Sequence, residues 1–230
     1  MLYIDSYNTS TADRTALVPL FAQVFPTGID VYDMNRSNNL YIPRNWNLTF
    51  LEYMKLYKRI FWSSDNLSLG SGNAIELGAV AIQNYLNYNG KILVSISSIP
   101  KDFNSPIYQI APFDSISTKI NNQRGSYLAN FKSYPTIENA SNIDSLSYKV
   151  DVYESTPAYV KSGAKTLLKT KIIDAAGGTW TGPNIIAAAT NGANGKPNQI
   201  FFTTDVHNLN GNPASLVKFF QFVFNQLFAD

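Results

Sequence analysis

The chain has no cysteine. That excludes disulfides, thiolate metal sites and a Cys nucleophile together, while leaving the compartment open. It has one histidine, His207, in 230 residues. A metal site would therefore rest on one imidazole and scattered carboxylates, with no His-x-x-x-His pair, and none is expected. Charge is also scarce, at 15% Asp, Glu, Lys and Arg against the usual quarter or so. A net charge of +2 with scattered lysines and arginines offers no patch for nucleic acid. No apolar run approaches the roughly 18 residues of a membrane span, and nothing at the start reads as a signal peptide. The opening, LYIDSY, is an apolar strand almost from the first residue. This suggests a domain cut from a longer precursor, or a mature form behind an added Met1; a complete small cytosolic protein is the other reading.

What fills the chain instead is apolar and polar-neutral. Hydrophobic residues make up 45%, aromatics 13%, and there are 25 asparagines, so a disordered chain is excluded. The first hundred residues alternate strand and helix. LYIDS (2–6) is a strand, followed by a helix with Leu17, Leu20, Phe21 and Val24 on one side and a late start, kink or break at Pro19. GIDVYDM (28–34) is the second strand. Asn47 would cap a helix carrying Leu48, Leu51 and Met54, and YKRIFWSS (57–64) is the third strand. Asn73 and Glu76 have capping-box spacing for a helix with Ile75, Ala79, Ile82 and Leu86, stopped at Asn89-Gly90. KILVSIS (91–97) reads as a strand buried on both faces. The expected fold is a three-layer α/β/α domain over 1–230, with a mostly parallel central sheet. Residues 100–160, broken by prolines, read as an irregular elaboration. KTLLKTKII (165–173), NIIAAAT (184–190) and QIFFTTDV (199–206), separated by Gly/Asn turns, predict an antiparallel extension near the C-terminus. Asn212-Pro213 opens a final helix with Leu216, Phe219, Phe220, Val223, Phe224 and Leu227 inward.

In such a sheet the loops at the strand C-termini carry function. DSYNTST, after the first strand, lacks Gly-x-Gly-x-x-Gly spacing, so no dinucleotide or other cofactor is expected. SSDNLSLGSGN, after the third, ends at a helix N-terminus able to hold an anion or oxyanion; an ordinary Gly/Ser loop is the alternative. After the fourth strand Ser97 and Ser98 are the candidate nucleophiles, but neither has the small flanking residues of a nucleophile elbow. His207 is the candidate base. Asp205, two residues earlier on the same strand face, is its candidate partner.

The order of LYIDSY, of YKRIFWSSDN leading to a helix ending NYNGKILVSIS, and of KPNQIFFTTDVHNLNG before the last helix resembles the class I glutamine amidotransferase-like fold. More narrowly, it resembles the divergent branch that includes trehalose-utilisation-type (ThuA-like) proteins. The resemblance covers most of the chain outside roughly 100–160. It implies a nucleophile near Ser97 or Ser98, the family histidine at His207, its acid at Leu209 and an oxyanion loop over Ser63 to Gly72. Without Cys, and with Leu209 unable to orient an imidazole, thioester chemistry is impossible. The expected function is a non-catalytic binding or accessory domain of a larger protein, periplasmic or on a bacterial cell surface, with a cytoplasmic setting left open. Its expected ligand is a small molecule or saccharide, contacted by Trp62, Ser64, Asp65, Asn66 and His207, because Tyr, Trp and Asn suit stacking and hydrogen bonding to sugars. A serine hydrolase using Ser97 or Ser98 with His207, and a purely structural domain, are the rivals.

Overall fold

The computed structural model describes residues 1–7, 12–34, 46–64, 74–96, 99–100, 102–117, 130–133, 146–148, 156–170 and 181–229. The N-terminal half runs β1 (Leu2–Ser6), α1 (Ala12–Val24), β2 (Asp30–Asp33), α2 (Trp46–Lys55), β3 (Arg59–Ser64), α3 (Ala74–Asn87) and β4 (Lys91–Ile96). A short α4 (Ile107–Ile110) and β5 (Phe113–Ile116), β6 (Asn130–Ser133), β7 (Leu146–Ser147) and β8 (Ala158–Val160) make up the described part of the elaboration. The chain ends with β9 (Lys165–Thr170), β10 (Ile185–Asn191), β11 (Pro197–Phe202) and α5 (Pro213–Phe222), whose last turn widens to π spacing over Val223–Leu227.

All the strands join one sheet, in the order β2-β1-β3-β4-β11-β10-β9-β6-β7, with β8 and β5 branching from β10. The first five are mutually parallel, and β10, β9, β6 and β7 extend the sheet antiparallel. The α/β architecture with its antiparallel extension is therefore the one read from the sequence. Strand parity builds the layers, because side chains on a strand alternate between faces. Tyr3, Phe61, Leu93 and Phe202 face α1 and α5, packing on Phe21, Phe220 and Phe224. Leu2, Ile4, Trp62 and Val94 face α2 and α3, packing on Phe50, Met54 and Ile82. Covered on both sides, β4 is buried at every position, as its aliphatic run requires. Each buried large side chain contributes about 1.5–3 kcal/mol.

Three local expectations change. Pro19 neither delays nor ends α1, which runs through it. Pro19 and Thr15, four residues earlier, are both exposed, so water can satisfy the carbonyl that proline leaves unpaired. Asn47 lies inside α2 rather than capping it, and Leu48 is 75% exposed, the inward set being Phe50, Leu51 and Met54. Asn73 falls outside the described residues. The stop after α3 is as expected: Asn89 takes φ 60°, and a Cβ on Gly90 would lie 2.3 Å from the Tyr85 ring. Asn212 caps α5 by accepting the Ser215 amide at 3.3 Å.

Candidate functional site at the strand C-termini

Fourteen described polar or charged residues are buried, and eight sit where the parallel strands end: Asp5, Ser6, Ser63, Ser64, Ser95, Thr203, Thr204 and Asp205. Burying polar groups is costly, so this concentration marks the edge as built for something other than packing. It coincides with the topological switch, where the chain steps from β1 to β2 on one side and later to β3 on the other. Register places Asp5 beside Ser63 and Ser63 beside Ser95. All three share parity with Tyr3, Phe61 and Leu93, so they form a polar row on the face covered by α1 and α5.

The row is wired at both ends. Asp5 Oδ2 accepts from Arg14 Nε at 2.9 Å and Nη2 at 2.6 Å, and Nη2 also lies 2.9 Å from Asp33 Oδ2. Burial opposes the Arg14 charge, but the two carboxylates more than offset it and hold the guanidinium above its ordinary pKa. Asp5 Oδ1 accepts the Tyr7 amide at 3.2 Å. At the other end, the Ser95 hydroxyl donates to the Thr204 carbonyl at 3.2 Å and accepts the Val206 amide at 3.0 Å. On the opposite face, Trp62 Nε1 donates to the Ser6 hydroxyl, which donates to the Ser63 carbonyl, both at 2.9 Å.

Tyr7 spans the edge. It leaves the end of β1, and its hydroxyl donates to Asp205 Oδ2 beyond β11 at 2.6 Å, with β3 and β4 lying between. Its ring meets His207 edge-on, centroids 5.5 Å apart. The Ser63 and Thr204 hydroxyls, both buried, find no hydrogen-bond partner among the described residues.

The expected geometry at His207 is corrected here. β11 ends at Phe202, and His207 lies in a 3₁₀ turn, Val206–Leu209, with Asp205 at its N-cap. Asp205 and His207 are thus not same-face strand neighbours, and Asp205 Oδ2 is engaged by the Tyr7 phenol. Leu209 is fully buried in the core, so the position the family resemblance assigns to an acid holds the turn by packing. The chain after the turn is fixed by Gly211, whose amide donates to the Ser147 carbonyl at 2.8 Å. A Cβ on Gly211 would lie 2.5 Å from the Tyr148 carbonyl oxygen.

Among the expected ligand contacts, Trp62 is fully buried and packs on Phe50. Ser64 is buried beside Ser6 at the edge. Ser97, Ser98, Asp65 and Asn66 lie outside the described residues. Tyr7, Asp5, Arg14 and Ser95 were not singled out from sequence. Ser95 alone left a signal there, as a hydroxyl inside an otherwise aliphatic run. Among the described residues no group of three or more His, Asp or Glu could hold a metal ion, and no helix is long and apolar enough to cross a membrane. Neither a model of a known protein family nor a curated protein matches the chain.

Proposed function

We propose that the chain is a non-catalytic, amidotransferase-like binding domain that holds a neutral, hydroxyl-rich ligand, a saccharide in chemical class, at the C-terminal edge of its parallel strands. The observation that carries this is the gathering of buried hydroxyls at that edge under the Tyr7–Asp205 hydrogen bond. Hydroxyls both donate and accept, which suits a ligand made of hydroxyls. The described charges nearby argue against an anion: Asp5, Asp33 and Asp205 stand against Arg14, which is already held by two of them. Among the described residues a phosphate or carboxylate brought there meets net negative charge and no unshared cation. The non-catalytic part rests on the missing Cys, on the Ser95 hydroxyl being occupied by the backbone, and on Leu209 being core.

Calorimetry of the purified chain against a panel of mono- and oligosaccharides tests the proposal. Saturable binding is expected for at least one, and weakened in Tyr7→Ala, which removes the phenol that holds Asp205 across the edge. Inorganic phosphate is expected not to bind. Silence across the panel, or undiminished binding by Tyr7→Ala, removes the ligand assignment. Labelling by a fluorophosphonate probe would remove the non-catalytic one.

A further inference from the structure

The sequence holds four Asn-Gly pairs, Asn89-Gly90, Asn191-Gly192, Asn194-Gly195 and Asn210-Gly211, and all four lie among the described residues. Asparagine is thermolabile, most of all before glycine, where no Cβ hinders attack by the following backbone nitrogen on the side-chain amide. That attack needs the glycine N–H released from its hydrogen bond, so that the nitrogen can lose its proton and reach the asparagine Cγ. How each glycine N–H is held therefore decides which pair reacts.

Three are held where opening costs packing. The Gly90 amide donates to the Tyr85 carbonyl at 3.0 Å, and Gly90 is buried against the Tyr85 ring. The Gly211 amide donates to the Ser147 carbonyl at 2.8 Å, tying the chain after the 3₁₀ turn to β7, and the Tyr148 carbonyl closes in beside it. The Gly192 amide donates to the Lys196 carbonyl at 2.8 Å, closing the β10–β11 hairpin, with the Asn198 side chain against it.

The fourth is different. The Gly195 amide donates to the Gly192 carbonyl at 3.0 Å, within the turn itself. Ala193, Asn194 and Gly195 are all exposed, and a Cβ on Gly195 would meet nothing within 4 Å. Water can replace that bond with no packing lost, which puts the turn at the low end of local opening free energies. Asn194 is also arranged for the chemistry, because its Oδ1 accepts the Lys196 amide at 3.0 Å. That N–H polarises the Cγ carbonyl and points at the oxygen on which negative charge develops, as an oxyanion-hole donor does.

We propose that Asn194 is a site of self-modification, converted to aspartate and isoaspartate by its own backbone. The Gly195 nitrogen forms a bond to Asn194 Cγ, the Cγ–Nδ2 bond breaks, and ammonia leaves carrying the Gly195 proton. The succinimide ring so formed is opened by water at either carbonyl. The sum is one water consumed and one ammonia released, with no change of oxidation state. The product places a negative charge two residues from Lys196 and lowers the net charge of +2 by one. Opening at the α-carbonyl also reroutes the backbone through the Asn194 side chain and lengthens the turn by one carbon.

The test incubates the purified full chain in mildly alkaline buffer, folded and in unfolding urea, and follows all four pairs by peptide mapping and mass spectrometry. In urea the four are expected to react at comparable rates. In the folded chain Asn194 is expected to lead each of the others by about tenfold or more, the ratio set by the cost of local opening. Asn194→Gln, whose longer side chain closes a ring far more slowly, is expected to remove most of the acidic species that accumulate in the folded protein. Reaction at Asn89, Asn191 or Asn210 as fast as at Asn194 in the folded chain would overturn the proposal. So would an intact Asn194 under folded conditions once the unfolded chain has reacted at all four, or acidic species forming at the native rate in Asn194→Gln.

Discussion

Ser95 sits buried at the end of β4 with both of its hydrogen bonds made to the backbone that follows β11. Those two contacts close the distance between neighbouring strands at the point where the chain leaves the sheet and turns into the segment carrying His207. Replacing the hydroxyl by hydrogen leaves the Val206 amide and the Thr204 carbonyl without that partner in a place water cannot easily reach. Each such loss costs about 1–3 kcal/mol. Ser95→Ala is therefore expected to lose about 2 kcal/mol of stability in urea titration, with little change in the slope against denaturant. The single histidine gives a second readout, since the only imidazole resonances in a proton spectrum belong to His207 and move if the turn relaxes. A loss below about 0.5 kcal/mol, within the range of an ordinary surface change, would mean that the turn is held by the packing of Val206 and Leu209 alone.

At the scale of elements, what the sequence exposes depends on how burial is patterned. β1, β3 and β4 are continuous apolar runs because helices cover both faces, and α5 shows its stripe from Leu216 to Leu227; these were legible. The ends were less so. QIFFTTDV looks like one strand, but it stops at Phe202 because Thr203 turns its carbonyl to the Thr156 amide, a contact between segments far apart in sequence. The site was legible only as a location. Asp5, Ser63 and Ser95 are three unremarkable polar residues until parallel register sets them side by side, and Tyr7 meets Asp205 across 198 positions of sequence. Pro19 misled for a related reason: its cost is local, whereas α1 is held by Leu17, Leu20 and Phe21 against the core. Proline inside a helix costs about 3 kcal/mol relative to alanine, partly offset by a less flexible unfolded chain. Pro19→Ala, at an exposed site, is expected to raise stability by about 1–3 kcal/mol in the same urea titration. An unchanged or lower midpoint would mean that α1 is already shaped around the missing amide.

For the whole molecule, the scarcity of charge moves pH sensitivity to the alkaline side, where its 14 tyrosines titrate. Among the described residues three are held above the ordinary phenol value of about 10. Tyr57 is raised first by its hydrogen bond with Tyr53, and then by burial and Asp30. Tyr85 is raised by burial, and Tyr108 is pushed up to about 12, by burial before Asp102. A folded-state pKa above the unfolded one gives stability that is complete below about pH 10 and is lost as pH rises through the folded value, because the unfolded chain ionises first. Stability is thus expected to fall between about pH 10 and pH 12, with Tyr108 contributing part of the loss. Tyr108→Phe separates the two roles of that phenol. At about pH 9 the variant is expected to be less stable by about 1 kcal/mol, having lost the hydrogen bond to the Pro100 carbonyl. Above pH 10 its stability is expected to decline less steeply than the native chain's, since one group has stopped contributing to the proton difference. Urea titrations of both chains across that interval decide it. Parallel declines would show that Tyr108 ionises as readily folded as unfolded, and that the alkaline limit is set by Tyr57 and Tyr85, which meet where α2 and α3 end, the Tyr85 hydroxyl donating to the Tyr57 carbonyl at 2.7 Å.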